Sequence, residues 1–138
     1  MAQPASPRLA LRLIHSALAL TPLVAGAVFF AVLQRRPAPL AGEWLPLAAA
    51  GCGVMITAAV AAVLWSRIGS PPSSKEARQA WLAQTQIVAV ACWAVLDAGA
   101  LSGLLGYFLT GTTSALIATL VVYEGLMALF SPGRLGSG

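Results

Sequence analysis

The chain has 138 residues, of which 59% are hydrophobic and only 9% charged, with a mean hydropathy of +0.84 and a formal net charge of +4. A water-soluble domain keeps about a quarter of its residues charged, so a soluble enzyme, a disordered tail and a nucleic-acid-binding module are all excluded as readings. What remains is a chain whose solvent is a bilayer.

A hydrocarbon core of about 30 Å calls for roughly 20 apolar residues in a helix. Leu13 to Gln34 carries no Asp, Glu, Lys or Arg, and this stretch predicts a first helix over about 10–34. Arg35-Arg36-Pro37-Ala38-Pro39 ends it, because proline cannot continue the hydrogen-bonded ladder. A cleaved signal peptide is the competing reading, with Arg8 and Arg12 ahead of the apolar run and Ala25-Gly26-Ala27 as a cleavage site. The run continues through Phe29, Phe30 and Leu33, which favours an uncleaved span.

Trp44 to Ser66 is likewise free of charge and predicts a second helix over about 44–67, closed by Gly69-Ser70-Pro71-Pro72. Ser73-Ser74-Lys75-Glu76 then matches a capping box in which Ser73 bonds forward and Glu76 reaches back. It opens a third helix over about 74–109. The polar cluster Thr110-Gly111-Thr112-Thr113 turns the chain into a fourth helix, about 113–131, stopped by Ser131-Pro132-Gly133. The Gly/Ser-rich tail to Gly138 is expected to fray.

The expected fold is therefore all-α, an integral membrane four-helix bundle in a single domain. Six of the eight basic residues fall on one side if both termini are cytoplasmic: Arg8, Arg12, Arg67, Lys75, Arg78 and Arg134, against Arg35 and Arg36. Basic residues concentrate on the cytoplasmic side, which predicts N-in/C-in topology in an inner (plasma) membrane. The positive charge then serves orientation and attraction to anionic headgroups, about 1 kcal/mol per well-placed Lys or Arg. Trp44, Trp65, Trp81 and Tyr107 suit aromatic belts near the span ends. Trp93 lies deeper and fills a packing gap.

Side chains with chemistry are few. Cys52 and Cys92 sit at different expected depths and form no CxxC, so they read as buried structural thiols rather than a redox pair. His15 is the sole histidine, which excludes paired-histidine haem ligation within one chain and leaves no basis for a metal site. It is expected at the membrane interface. No cofactor is implied, and the nucleophile, metal or acid–base set of an enzyme is missing.

Asp97 and Glu124 stand apart. A charge at mid-span costs about 2.5–3.5 kcal/mol on insertion scales, so such acids face a partner, a cavity or another subunit. Asp97 lies 14 residues before Gly111 and Glu124 lies 13 after it. In an antiparallel hairpin both come to rest about 20 Å from the turn, at nearly one depth. If they meet they cannot both ionise cheaply, and one proton is shared between them. Gln86 on the third helix, and Thr113 and Ser131 on the fourth, lie near the same faces and extend a broken polar line. The competing reading is packing: protonated acids bonded across helices, worth about 0.6–2 kcal/mol.

Small residues mark close helix contacts. The second helix carries Ala49, Gly53, Thr57 and Ala61 at one spacing, and the third carries Gly99-x-x-x-Gly103 and Ser102-x-x-x-Gly106. These faces are buried either within the bundle or in an oligomer or larger membrane complex.

One stretch resembles a known family. Arg78-Gln79, then Thr85-Gln86-Ile87-Val88, Leu96-Asp97-Ala98 and Leu104-Leu105-Gly106-Tyr107-Phe108 look like the second helix of the proteolipid ring subunit of rotary ATP synthases. The resemblance implies that Arg78 and Gln79 form a cytoplasmic loop and that Asp97 is the carboxylate that carries a translocated ion. Gly51 and Gly53 echo that family's Gly-rich first helix. Taken whole, the chain resembles small four-span bacterial membrane proteins without an assigned activity. Two functions follow as expectations: a proton or cation held at Asp97 and Glu124 in an oligomer, or an accessory subunit that docks through its Gly/Ala stripes.

Overall fold

The computed structural model describes residues 7–135, and the expected frayed tail beyond Leu135 lies outside them. The described chain is built from four α-helices, α1 (Pro7–Leu33), α2 (Leu45–Ser66), α3 (Lys75–Thr110) and α4 (Thr113–Leu129), followed by a 3-10 turn, Pro132–Leu135. No strand occurs among the described residues. Three helices, α1, α2 and α3, are long and apolar enough to cross a membrane. The fourth is apolar but shorter, with 17 residues. Its length is about 25 Å at 1.5 Å per residue.

The shortening of α4 has a local cause. Proline disfavours helical geometry in the residue before it, so Pro132 ends the ladder early, and Phe130 has already left it at φ −96°, ψ 33°. The start of α3 differs from expectation by one residue. Ser74, not Ser73, is the N-cap, and its hydroxyl accepts from the Ala77 backbone N–H at 3.3 Å. The loop sets this register: Trp81 Nε1 donates to the Gly69 carbonyl at 3.0 Å and Arg78 Nε donates to that of Pro72 at 3.4 Å. At the other end Gly111 adopts φ 69°, a left-handed cap that suits glycine. Its N–H donates to the Tyr107 carbonyl, and only Thr112 then separates it from α4.

Every other helix packs on α3. Contacts with α2 run as an antiparallel zipper: Cys92 with Ala61, Gly99 with Thr57, Ser102 with Gly53, and Gly106 with Ala50. α4 descends the next flank, pairing Thr119 with Gly103 and the Phe130 carbonyl with Trp93. α1 runs parallel to α3, setting His15 beside Trp93, Gly26 beside Leu104 and Phe29 beside Phe108. At 100° per residue these contacts put α1 and α2 on roughly opposite sides of α3, with α4 between them. The remaining side of α3 is bare: Ile87, Ala94, Ala98, Leu101 and Leu105 are exposed. So are large apolar residues elsewhere, such as Leu13 and Val24 on α1, Met55 and Ile56 on α2, and Val121 on α4. The molecule is a helical bundle arranged about one central helix, with an apolar exterior.

The small-residue stripes are consumed inside this arrangement except at Ala49, which is exposed, its neighbour Ala50 taking the place against Gly106. A Cβ on Gly53, Gly99, Gly103 or Gly106 would collide with Ser102, Thr57, Thr119 or Ala50 respectively. Cys92 is buried as expected, with its Sγ near the Ala61 carbonyl, but Cys52 departs from expectation and is exposed on the outer face of α2. An exposed helix face turned away from α3 offers a thiol nothing to bury against.

Candidate functional site

The polar groups of the interior gather where α1, α3 and α4 meet, and a proline creates the need for them. Pro22 lies in the middle of α1 and is fully buried. Having no N–H, it cannot serve the carbonyl four residues earlier, which is that of Leu18. That carbonyl is met instead by the phenol of Tyr123, whose Oη–H donates to it across the helix interface at 2.8 Å. An unmet carbonyl in an apolar interior costs about 1–3 kcal/mol, so this bond is the local reason that α1 and α4 lock in register.

The end of α4 is served the same way. Its last carbonyls have no partner within the helix. His15 Nε2 donates to that of Met127 at 3.0 Å, and Trp93 Nε1 donates to that of Phe130 at 2.8 Å. The His15 and Trp93 rings meet edge to face with centroids 4.9 Å apart. His15 is therefore half-buried against the end of α4. A ring nitrogen finds better company at an orphaned helix end than among apolar neighbours.

The two acids lie one turn further in. The Tyr123 hydroxyl stands beside the Asp97 carboxyl, and Glu124 is near enough for its charge to act on the phenol. Because Glu124 follows Tyr123 directly, it shares the height of Asp97 to within about one residue's rise, 1.5 Å. It is also turned about 100° away around α4. That rotation puts it on the flank of α4 that bears Leu120, which with Leu116 faces Gly26 of α1. The acids thus flank Tyr123. Each is half-buried, and each keeps one oxygen, Asp97 Oδ1 and Glu124 Oε1, that is sealed from solvent and without a hydrogen-bond partner.

The other polar residues singled out from sequence do not join them. Thr113 is exposed at the start of α4, and Ser131 follows the far end of the same helix, so the length of α4 separates them. Gln86 stands in the wall of an open groove between α1 and α3, with Ile14, Ile87 and Val90. The residues that do complete the cluster, Tyr123 and Pro22, were the ones sequence reasoning passed over. Both had a signal: a proline at mid-span frees a carbonyl, and the residue beside Glu124 is the only phenol in α4. Among the described residues no three His, Cys, Asp or Glu side chains converge as metal ligands.

Compared with protein-family models, curated proteins and solved structures, the chain matches none. The site's chemistry must therefore speak for itself. It is a carboxyl, a phenol and a backbone carbonyl in series, with a second carboxyl alongside.

Proposed function

We propose that the protein is a small, non-enzymatic, multi-pass membrane protein, N-in and C-in, that holds an exchangeable proton or cation at Asp97 and Glu124, as part of an oligomer or larger complex. The observation that carries this reading is the pair of sealed, unpartnered carboxyl oxygens on either side of one phenol. An ionised Asp97 has one donor to draw on, the Tyr123 hydroxyl, and only by taking it from the Leu18 carbonyl, whereas a protonated one has an obvious acceptor. Tyr123 gives its own proton to the Leu18 carbonyl, so its oxygen lone pairs are free to accept from the Asp97 O–H.

The series then works as a relay of orientation. With Asp97 protonated, the bonds run from carboxyl to phenol to the Leu18 carbonyl. When the proton leaves, the phenol turns its O–H to the carboxylate, and the Leu18 carbonyl loses its donor. Occupancy of Asp97 is thereby coupled to the strength of the α1–α4 contact at Pro22. The resemblance of α3 to a proteolipid helix, with Asp97 in the ion-carrying position, points the same way.

The test is proton flux in vesicles reconstituted with purified protein, read with a trapped pH dye. Asp97→Asn is expected to abolish flux and Glu124→Gln to reduce it, with both variants assembling as the parent does. Absence of flux from the parent protein sinks the reading.

An accessory subunit of a larger membrane complex is the second reading. Its support is no longer the Gly/Ala stripes, which are spent within the chain, but an open cleft of about 470 Å³ between α2 and α4. Leu47, Gly51, Val54, Met55 and Ala118 line it. Co-purification of a stoichiometric partner with an inactive parent protein would favour it.

A further inference from the structure

One end of the molecule carries two hollows that meet at a single residue. The first, of about 180 Å³, lies between the start of α1, α3 and the turn after α4, and is lined by Arg8, Leu11, Arg12, Leu82, Pro132 and Leu135. The second, of about 460 Å³, is a groove between α1 and α3 lined by Leu11, Ile14, Gln86, Ile87, Val90 and Ala94. Leu11 is buried and forms the saddle between them. The two hollows differ in chemistry. The first holds two guanidiniums four residues apart on one helix face and no acid. The second is apolar, with the single amide of Gln86 near its mouth.

That order, cation, then amide, then hydrocarbon, matches the profile of a phospholipid. The arginines lie at the level of Leu82, next to Trp81, in the headgroup zone of the span assignment above. From Gln86 to Ala94 the groove runs about 12 Å along α3 at 1.5 Å per residue, inward from that zone. A guanidinium fork suits a phosphate, and none of the chain's four acids, Glu43, Glu76, Asp97 and Glu124, lines either hollow to compete for it.

We infer that this end binds one anionic phospholipid, with its phosphate between Arg8 and Arg12, its glycerol region by Gln86 and one acyl chain in the α1–α3 groove. The inference rests on the membrane reading above, not on the proton-holding one. It also differs from a general attraction to a charged surface, because it requires a chain-filled groove as well as two cations.

Native mass spectrometry of the detergent-purified full chain tests it, titrating in phosphatidylglycerol, phosphatidylcholine or glycerol phosphate. One phosphatidylglycerol is expected per chain, with phosphatidylcholine and glycerol phosphate each binding at least roughly tenfold more weakly. Arg8→Gln with Arg12→Gln should weaken phosphatidylglycerol by about thirtyfold, the scale of two cations lost from an anionic surface. Ala94→Phe fills the groove and should weaken it comparably. All three positions are exposed, so the variants keep the packed interior. Equal binding of phosphatidylcholine, or binding untouched by the arginine pair, overturns the site. Glycerol phosphate binding as tightly as the lipid, or indifference to Ala94→Phe, overturns the role of the groove. If the protein leaves the membrane fraction altogether, the span assignment fails instead, and that outcome is read separately from cell fractionation.

Discussion

The α2–α3 seam and the junction of α1, α3 and α4 rely on different balances of the same two means of packing. Towards α2 the contact is made of absences: Gly53, Gly99 and Gly106 let backbones approach until Ser102, Thr57 and Ala50 fill the space where side chains would stand. Towards α4 one such approach, Gly103 against Thr119, is joined by a hydrogen bond from Trp93 to the Phe130 carbonyl. Beyond α3 the bonds from Tyr123 and His15 tie α4 and α1 together at carbonyls that a proline and a helix end leave unmet. In lipid there is no hydrophobic drive to bring helices together, so close packing and interhelical hydrogen bonds must do it. The comparison teaches where tolerance to change lies. A contact built on missing atoms fails by addition, whereas one built on donors fails by removal and can be rescued by supplying the donor elsewhere.

The largest expected effect follows from the first of these. Gly99→Val places two methyl groups against Thr57 in a contact with no slack, and should lower stability by about 2–3 kcal/mol. Unfolding in mixed micelles with rising SDS measures it. Thr57→Ala in the same chain should recover part of the loss, because the clash is with the threonine side chain. If Gly99→Val is neutral, α2 does not sit where the zipper puts it.

Next comes Tyr123→Phe, which leaves the Leu18 carbonyl without a donor and should cost about 1–2 kcal/mol. The sharper version pairs it with Pro22→Ala. Alanine restores the N–H that serves Leu18 from within α1, so Tyr123→Phe should cost much less in that background. A double-mutant cycle with no coupling would show that the proline and the phenol are unrelated.

Trp93→Phe removes one donor at the end of α4 while keeping an aromatic ring in the core. The expected loss is about 0.6–1.7 kcal/mol, seen as an earlier SDS midpoint. Hydrogen exchange at the last turn of α4 should rise with it. The smallest effect belongs to glycines outside both contacts. Gly51 and Gly125 have open space around a built Cβ, and Gly51→Ala or Gly125→Ala should stay within about 0.5 kcal/mol of the parent. A large loss at either would reveal a contact with a partner that the isolated chain does not contain.

Much of this architecture was legible because its causes are local. Pro37, the Pro71-Pro72 pair, Gly111 and Pro132 punctuate the chain by fixed backbone geometry, and the helix limits follow them to within a few residues. The cap at Ser74 in place of Ser73 and the early end of α4 are the exceptions, since long-range bonds from Trp81 and the geometry ahead of Pro132 choose between near-equal local options. The common height of Asp97 and Glu124 was likewise a matter of counting residues from a turn. Their surroundings were not, because counting fixes height along a helix and says nothing of rotation about its axis.

The sequence by itself thus determined an apolar, four-helix chain, the places where each helix breaks, and the level of two carboxyls within it. Only the tertiary structure decided that α3 is the central helix, that the small-residue stripes are spent inside the molecule, and that Thr113, Ser131 and Gln86 lie apart from the acids. It also brought Tyr123 and Pro22 to them. The physical reason is the same in each case: a helix presents every azimuth, and which one is used is settled by partners remote in the chain.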